Sequence, residues 1–202
     1  MNRVLAIAGG SGSGKSTLAA TLVAALGPER IAVLPIDAYY HDLSHLDADV
    51  REAVNFDHPD ALDLALFADH VASLKNGERV ACPCYDFTTH CRLAETTTIE
   101  PRPTLLVEGI LVAATTELRA LYDHLVYVET DASVRWQRRL HRDQVERGRD
   151  ADSIKRFWTR AETTFTEWGA RALASADSAV DGSKPPEQMM AQLIAQLGPD
   201  WF

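Results

Sequence analysis

Gly9-Gly10-Ser11-Gly12-Ser13-Gly14-Lys15-Ser16-Thr17 is the stretch that decides how this chain folds. It follows an apolar run at residues 4–8 and precedes a helical run at 18–26, so the order is strand, glycine-rich turn, helix N-terminus. That order is the setting of a phosphate-binding loop. Gly9 and Gly14 allow a turn tight enough for consecutive N–H groups to point at phosphate oxygens. The positive end of the helix dipole adds to the attraction. All nine residues are candidate nucleotide-binding residues, with Lys15 expected to reach the β- and γ-phosphates and the Ser16 hydroxyl to bind Mg²⁺. The spacing Gly-x4-Gly-Lys-Ser/Thr arises by accident in roughly 1% of chains of this length. Its placement between strand and helix lowers that figure further.

Working outward, apolar runs rich in Val, Ile and Leu recur at 31–36, 104–107 and 125–128. Continuous apolar runs of this length suit strands buried on both faces of a parallel sheet. Helical patterns lie at 15–26, 60–75 (closed by Gly77), 116–121, 132–147, 151–174 and 185–197. The alternation predicts a doubly wound α/β fold, a parallel sheet with helices on both faces and sites at the C-terminal ends of its strands. Residues 80–98 break the rhythm with an alternating pattern around Pro83 and a Thr-rich return, which predicts a hairpin standing off the sheet. One domain over residues 1–202 is the economical reading, with the hairpin excursion at about 79–100 and an Arg-rich lid at about 135–150.

At 202 residues, 46% hydrophobic and 24% charged, the chain is an ordinary soluble domain with a substantial core. Its net charge of −9 argues against a nucleic-acid partner. No run approaches a membrane span, and the N-terminus has no signal-peptide pattern. Three cysteines fit free thiols in a reducing cytoplasm. Cys82, Cys84, His90 and Cys91 crowd together, but Cys-x-Cys is the wrong spacing for a zinc knuckle and no second pair exists.

Two carboxylates follow strands. Asp37 comes directly after the run 31–36, facing the phosphate loop, where it can accept the proton of an attacking hydroxyl. Glu108 ends the run 104–107 in the Walker-B position, where it can hold Mg²⁺ directly or through water. Six arginines lie within residues 135–149, and helical spacing puts Arg135, Arg138, Arg139 and Arg142 on one broad face. In an acidic protein this predicts a lid that closes over a triphosphate, neutralises charge on the transferred group and excludes water. The alternative is a solvated face that pairs with Asp143 and Glu146. Asp57, which no helix start explains, is a candidate ligand for a diol. Tyr85 and His90 could line a pocket for a planar ring, or serve only in packing.

In order along the chain, these motifs resemble the uridine–cytidine kinases of the phosphoribulokinase/uridine kinase family of P-loop kinases. The resemblance is carried by Gly9 to Thr17, Asp37-Ala38-Tyr39-Tyr40, Asn55-Phe56-Asp57-His58-Pro59-Asp60, Tyr85-Asp86-Phe87-Thr88-Thr89-His90, Val107-Glu108-Gly109, Arg138-Arg139-Leu140-His141-Arg142-Asp143 and Glu146-Arg147-Gly148-Arg149-Asp150. It implies a P-loop NTPase-type fold and transfer of phosphate from ATP, with GTP as an alternative donor, to the 5′-hydroxyl of uridine or cytidine. Asp37 would be the catalytic carboxylate, aided by Lys15, Arg142 and Arg147. Asp57 and Arg139 would bind the ribose diol, Tyr40, Tyr85 and His90 would surround the base, and Arg149 would reach the nucleoside. Ser16 and Glu108 would hold Mg²⁺. The resemblance also implies a cytoplasmic protein and a homo-oligomer, tetramer or dimer.

The chain departs from the pattern beyond Asp150, where Phe157 stands in the place of a base-reading Gln. A hydrophobic residue cannot satisfy a polar base edge. Two other readings share the phosphate loop. One is a kinase of another hydroxylated metabolite, such as a modified nucleoside, a sugar or a vitamin precursor. The other is a regulatory switch, although the Asn-Lys-x-Asp and Asp-x-x-Gly motifs of guanine-reading switches do not occur.

Overall fold

The computed structural model describes residues 2–145, 150–198 and 201–202. Five strands, β1 (Arg3–Ala8), β2 (Ile31–Pro35), β5 (Thr104–Gly109), β6 (His124–Glu129) and β7 (Ser178–Asp181), form one sheet in the order β2-β5-β1-β6-β7. Every pairing is parallel, as the continuous apolar runs require. Within β1, Val4, Ala6 and Ala8 enter one core and Leu5 and Ile7 the other, the two-residue period of a strand covered on both faces. The first face packs against α3 (Leu64–Lys75) and α6 (Ala151–Ser175), and the second against α1 (Lys15–Leu26) and α7 (Pro186–Leu197). The chain leaves β1 towards β2 on one side and returns to β6 on the other. The crevice above β1 and β5 is therefore the topological switch point, where α/β sheets bind ligands.

Several details differ from the sequence pattern. β7 carries no long apolar run: only Val180 is fully buried, and its register against β6 is fixed by tertiary pairing. Helix α3 starts later than residue 60. The Asp63 carboxylate caps it by accepting from Leu66 N at 3.1 Å. A separate 3₁₀ turn, Pro59–Ala61, precedes it, and there His58 Nδ1 accepts from Asp60 N. A second 3₁₀ turn, Ile36–Tyr39, follows β2 and carries Asp37. Short α2 (Ala48–Ala53) and α4 (Thr116–Arg119) complete the connections, and α5 spans Ala132–Val145.

The excursion is a hairpin of β3 (Val80–Asp86) and β4 (Cys91–Ile99), antiparallel and separate from the main sheet as its alternation predicts. Arg92 staples it down. Its Nε donates to the Tyr40 carbonyl and its Nη2 to the Tyr39 carbonyl, both at 3.1 Å, while Nη1 lies 3.6 Å from Asp63 Oδ2. One side chain thus ties the hairpin to the Asp37-bearing turn and to the cap of α3. Among the described residues no helix is long and apolar enough to cross a membrane.

Candidate active site

The loop between β1 and α1 has the backbone its glycines predict. Gly14 caps α1 at φ 100°, and Gly12 sits at φ 78° with its Cα against the Arg135 carbonyl, where a Cβ would collide. Lys15 is buried, its Nζ 3.5 Å from the Gly10 carbonyl. Ser16 Oγ donates to Glu108 Oε2 at 3.1 Å across the crevice, which joins the two predicted metal ligands. Burial pushes the Glu108 carboxyl above its usual range and the Asp37 charge adds to the rise, while Lys15 and the Ser16 hydrogen bond oppose it. A hydroxyl and a carboxylate at this distance form a hard oxygen donor set, which fits Mg²⁺ once phosphate oxygens and waters complete the shell. Asp37 lies directly over the end of β5, since a Cβ on Gly109 would come within 3.5 Å of its Oδ1.

Two cavities meet at this loop. One, of about 540 Å³, is lined by Gly14, Thr17, Arg138, His141, Lys184 and Met189 among others, so it lies between the loop, α5 and the β7–α7 connection. The other, of about 300 Å³, brings together Asp37, Tyr40, Asp57, Tyr85, His90 and Arg139, and extends from the loop to the hairpin. Lys15, Ser16 and Arg142 line both. Residues 37 to 142, distant in sequence, therefore converge on one chamber with a shared wall.

The second cavity has two ends. At the loop end lie Lys15, Asp37, Asp57, Arg139 and Arg142. Burial raises the Asp57 carboxyl above its usual range, with Arg139 and Lys15 opposing and Asp37 reinforcing, so these groups act on one another. At the hairpin end six rings line the wall: Tyr40, Phe56, Tyr85, Phe87, His90 and Phe157. Tyr40 OH donates to the Phe56 carbonyl at 3.0 Å, and the Tyr40 ring packs on Phe56 and Tyr85. His90 stacks on Phe56 with centroids 4.4 Å apart. The Tyr85 hydroxyl is buried without a hydrogen-bond partner among the described residues.

The arginine face requires a correction. Arg135 does not belong to a closing lid: it is buried, bonded to both Glu162 oxygens at 2.7 and 2.8 Å and held between Trp158 and Phe165. It supports the phosphate loop from below, where a Cβ on Gly10 would meet its Nη1 at 2.6 Å. Arg138 donates to the Ser13 and Gly182 carbonyls, which fastens α5 to the loop. Arg139 and Arg142 do face the second cavity. Arg147 and Arg149 lie outside the described residues. Asp143 is not a solvated partner either, being fully buried with Arg142 Nε and Nη2 on its Oδ1 at 2.9 and 2.7 Å. Arg139 Nε lies 3.5 Å from its Oδ2. Phe56 and Phe87 also line the second cavity, a role the sequence does not predict, because the turns that carry them have no period to assign a side chain to one side.

A family model described as the phosphoribulokinase / uridine kinase family matches residues 4–185. A protein of Chloroflexus aurantiacus named uridine kinase is 47% identical over 151 residues, which cover 75% of this chain and 72% of that protein. Its namesake from Clostridium perfringens is 46% identical over 150 residues, covering 74% and 72%. Among solved structures, a phosphoribulokinase from Rhodobacter spheroides matches with a TM-score of 0.66 at 15% identity, over 91% of this chain and 73% of that one. At that identity the likeness concerns the fold.

Proposed function

The chain belongs to the phosphoribulokinase/uridine kinase family, and from that premise we propose that it transfers the γ-phosphate of ATP to the 5′-hydroxyl of uridine and cytidine, giving UMP and CMP. One observation carries the reading: two cavities share Lys15, Ser16 and Arg142 as a common wall, and one of them holds Asp37 and Asp57. A donor and an acceptor approaching from opposite sides would meet there.

In this reading the loop from Gly9 to Thr17 cradles the phosphate chain with its N–H groups and the dipole of α1. Lys15 and Arg142 balance charge on the group in transit. Asp37 orients the acceptor hydroxyl and takes its proton at a carboxylate oxygen. Asp57 accepts from the two ribose hydroxyls, with Arg139 beside it, and Tyr40, Tyr85 and His90 enclose the base. Ser16 and Glu108 would hold Mg²⁺, which when bound neutralises the β- and γ-phosphate oxygens. Arg147 and Arg149 are assigned to phosphate and nucleoside only through the resemblance of their motif. The six rings favour an acceptor that carries a flat ring over a bare sugar. A cavity holding two carboxylates beside the loop has no use in a nucleotide switch.

The test is turnover of the pure protein with Mg²⁺, ATP and uridine or cytidine, the products being identified by chromatography. Formation of UMP and CMP is expected, and neither product appearing would end the reading. Asp37→Asn should lower kcat at least about 100-fold while ATP binding, followed by calorimetry, persists. Near-normal turnover in that variant would remove Asp37 from its role.

A further inference from the structure

The phosphate loop contains one peptide whose direction its own sequence does not fix. Gly14 sits at φ 100°, and glycine adopts negative φ as readily, so the peptide between Ser13 and Gly14 can turn over at little local cost. In a trans peptide the carbonyl of one residue and the N–H of the next point opposite ways. With the Ser13 carbonyl turned out of the loop, the Gly14 N–H turns in as a donor. Turned over, the same peptide would present an oxygen to the phosphates. In the structure the carbonyl is turned out and held there. Thr130 Oγ1, in the connection from β6 to α5, donates to it at 3.0 Å. Arg138 Nη1 approaches it at 3.3 Å. Gly182, in the connection from β7 to α7, packs so closely that a Cβ there would collide with both Thr130 Oγ1 and the Ser13 oxygen. Thr130 is itself anchored. Arg135 Nε donates to its carbonyl at 3.1 Å, and the two Glu162 oxygens hold the same guanidinium at 2.7 and 2.8 Å. A strut therefore runs from α6 through Arg135 and Thr130 to the loop, and Thr130 lines neither cavity.

Resting on the reading of residues 9–17 as the phosphate cradle, and on no assignment of the acceptor, we propose that Thr130 is a positioning residue for the donor. Its hydroxyl locks the Ser13–Gly14 peptide so that the Gly14 N–H faces the phosphate chain. Arg138 does not duplicate this lock. Its Nη1 also serves the Gly182 carbonyl at 2.8 Å and the Gly12 carbonyl at 3.5 Å, which puts three acceptors on a nitrogen with two protons. The Thr130 hydroxyl has one proton to give and gives it to Ser13. Without it the loop shares its time between the two peptide directions, only one of which receives phosphate. Apparent affinity for the donor falls in proportion to the competent fraction. A bound triphosphate itself favours the inward N–H, so the loss falls on donor binding and spares the chemical step.

Calorimetry with Mg²⁺ and ATP compares the full chain with Thr130→Val, which keeps the shape and removes the hydroxyl, and Thr130→Ser, which keeps the hydroxyl. The Val variant should raise the Kd for ATP about tenfold. In turnover of uridine it should raise the KM for ATP by about the same factor, with kcat and the KM for uridine within about twofold. The Ser variant should stay within about threefold of wild type. A mere packing role of this side chain predicts the reverse order, since Val fills the space and Ser does not. ATP binding by the Val variant within twofold of wild type, or weaker binding by Ser than by Val, overturns the inference. Should the Val variant fail to fold, Gly182→Ala drives Thr130 Oγ1 from the Ser13 oxygen and should give the same loss, and unchanged ATP binding there overturns it as well. Wild type that binds ATP but leaves uridine untouched strikes the nucleoside reading, while the calorimetric comparison still decides this one. Wild type that binds no ATP overturns the cradle and the inference together.

Discussion

Replacing Asp143 with Asn tests whether a fully buried carboxylate aims the arginines of the site. Asp143 is 0% exposed and the Arg139 and Arg142 side chains are 7% and 32% exposed. Both Arg142 contacts fall on Oδ1, and Arg139 Nε faces Oδ2. In the Asn variant one position becomes an NH₂ donor that confronts a guanidinium donor, and two cations lose their counter-charge. Breaking a buried pair from one side costs about 3–5 kcal/mol. The partial exposure of Arg142 lets water recover some of that, so about 3 kcal/mol is expected, or roughly 6–12 °C in Tm for a chain of this size. The second effect is kinetic. Arg142 lines both cavities, and a mis-aimed charge at a reacting phosphoryl group costs about 100-fold or more in kcat. Scanning calorimetry gives the first number and steady-state assays the second. A double-mutant cycle with Arg142→Ala separates aim from general destabilisation. If Asp143 acts through Arg142, the second substitution adds little to the loss in kcat. Full additivity, or an Asn variant with Tm within about 2 °C and kcat within threefold of wild type, refutes the reasoning.

Asp57, raised by burial, binds its proton in the folded state at pH values where the unfolded chain has already lost it. Its contribution to stability is thus full below the ordinary aspartate range and declines as pH rises through the elevated value. The Tm difference between wild type and Asp57→Asn should shift against wild type between pH 4 and pH 8, and a pH-independent difference would contradict this. Gly12→Ala places a Cβ against the Arg135 carbonyl at φ 78°; it should cost about 1–3 kcal/mol and weaken ATP binding measured by calorimetry.

The parts of this protein written in local chemistry are legible in its sequence. The phosphate loop, the carboxylates Asp37 and Glu108 that follow apolar runs, and the alternating hairpin each declare themselves within about ten residues. What stays hidden depends on direction. Asp143 sits one residue from Arg142 in a run of charged letters that reads as solvated, yet it is fully buried with the Arg139 and Arg142 guanidiniums of its own helix against it. Arg135 looks equivalent to its neighbours one turn away, yet Glu162, 27 residues later, claims it. β7 is too short and too polar at its ends to stand out before β6 pairs with it. The departure at Phe157 is visible as a letter, but that its ring stacks beside His90, 67 positions away, is visible only in the fold.

Arg92 has a consequence for re-engineering. Because one guanidinium binds the Tyr39 and Tyr40 carbonyls and lies beside the Asp63 cap, the hairpin and the Asp37-bearing turn form a single cassette joined by main-chain acceptors that any sequence supplies. Transplanting residues 80–99 from a relative should therefore carry a new acceptor preference without redesign of the turn, provided that the graft keeps an arginine at position 92 and the host an acid at 63.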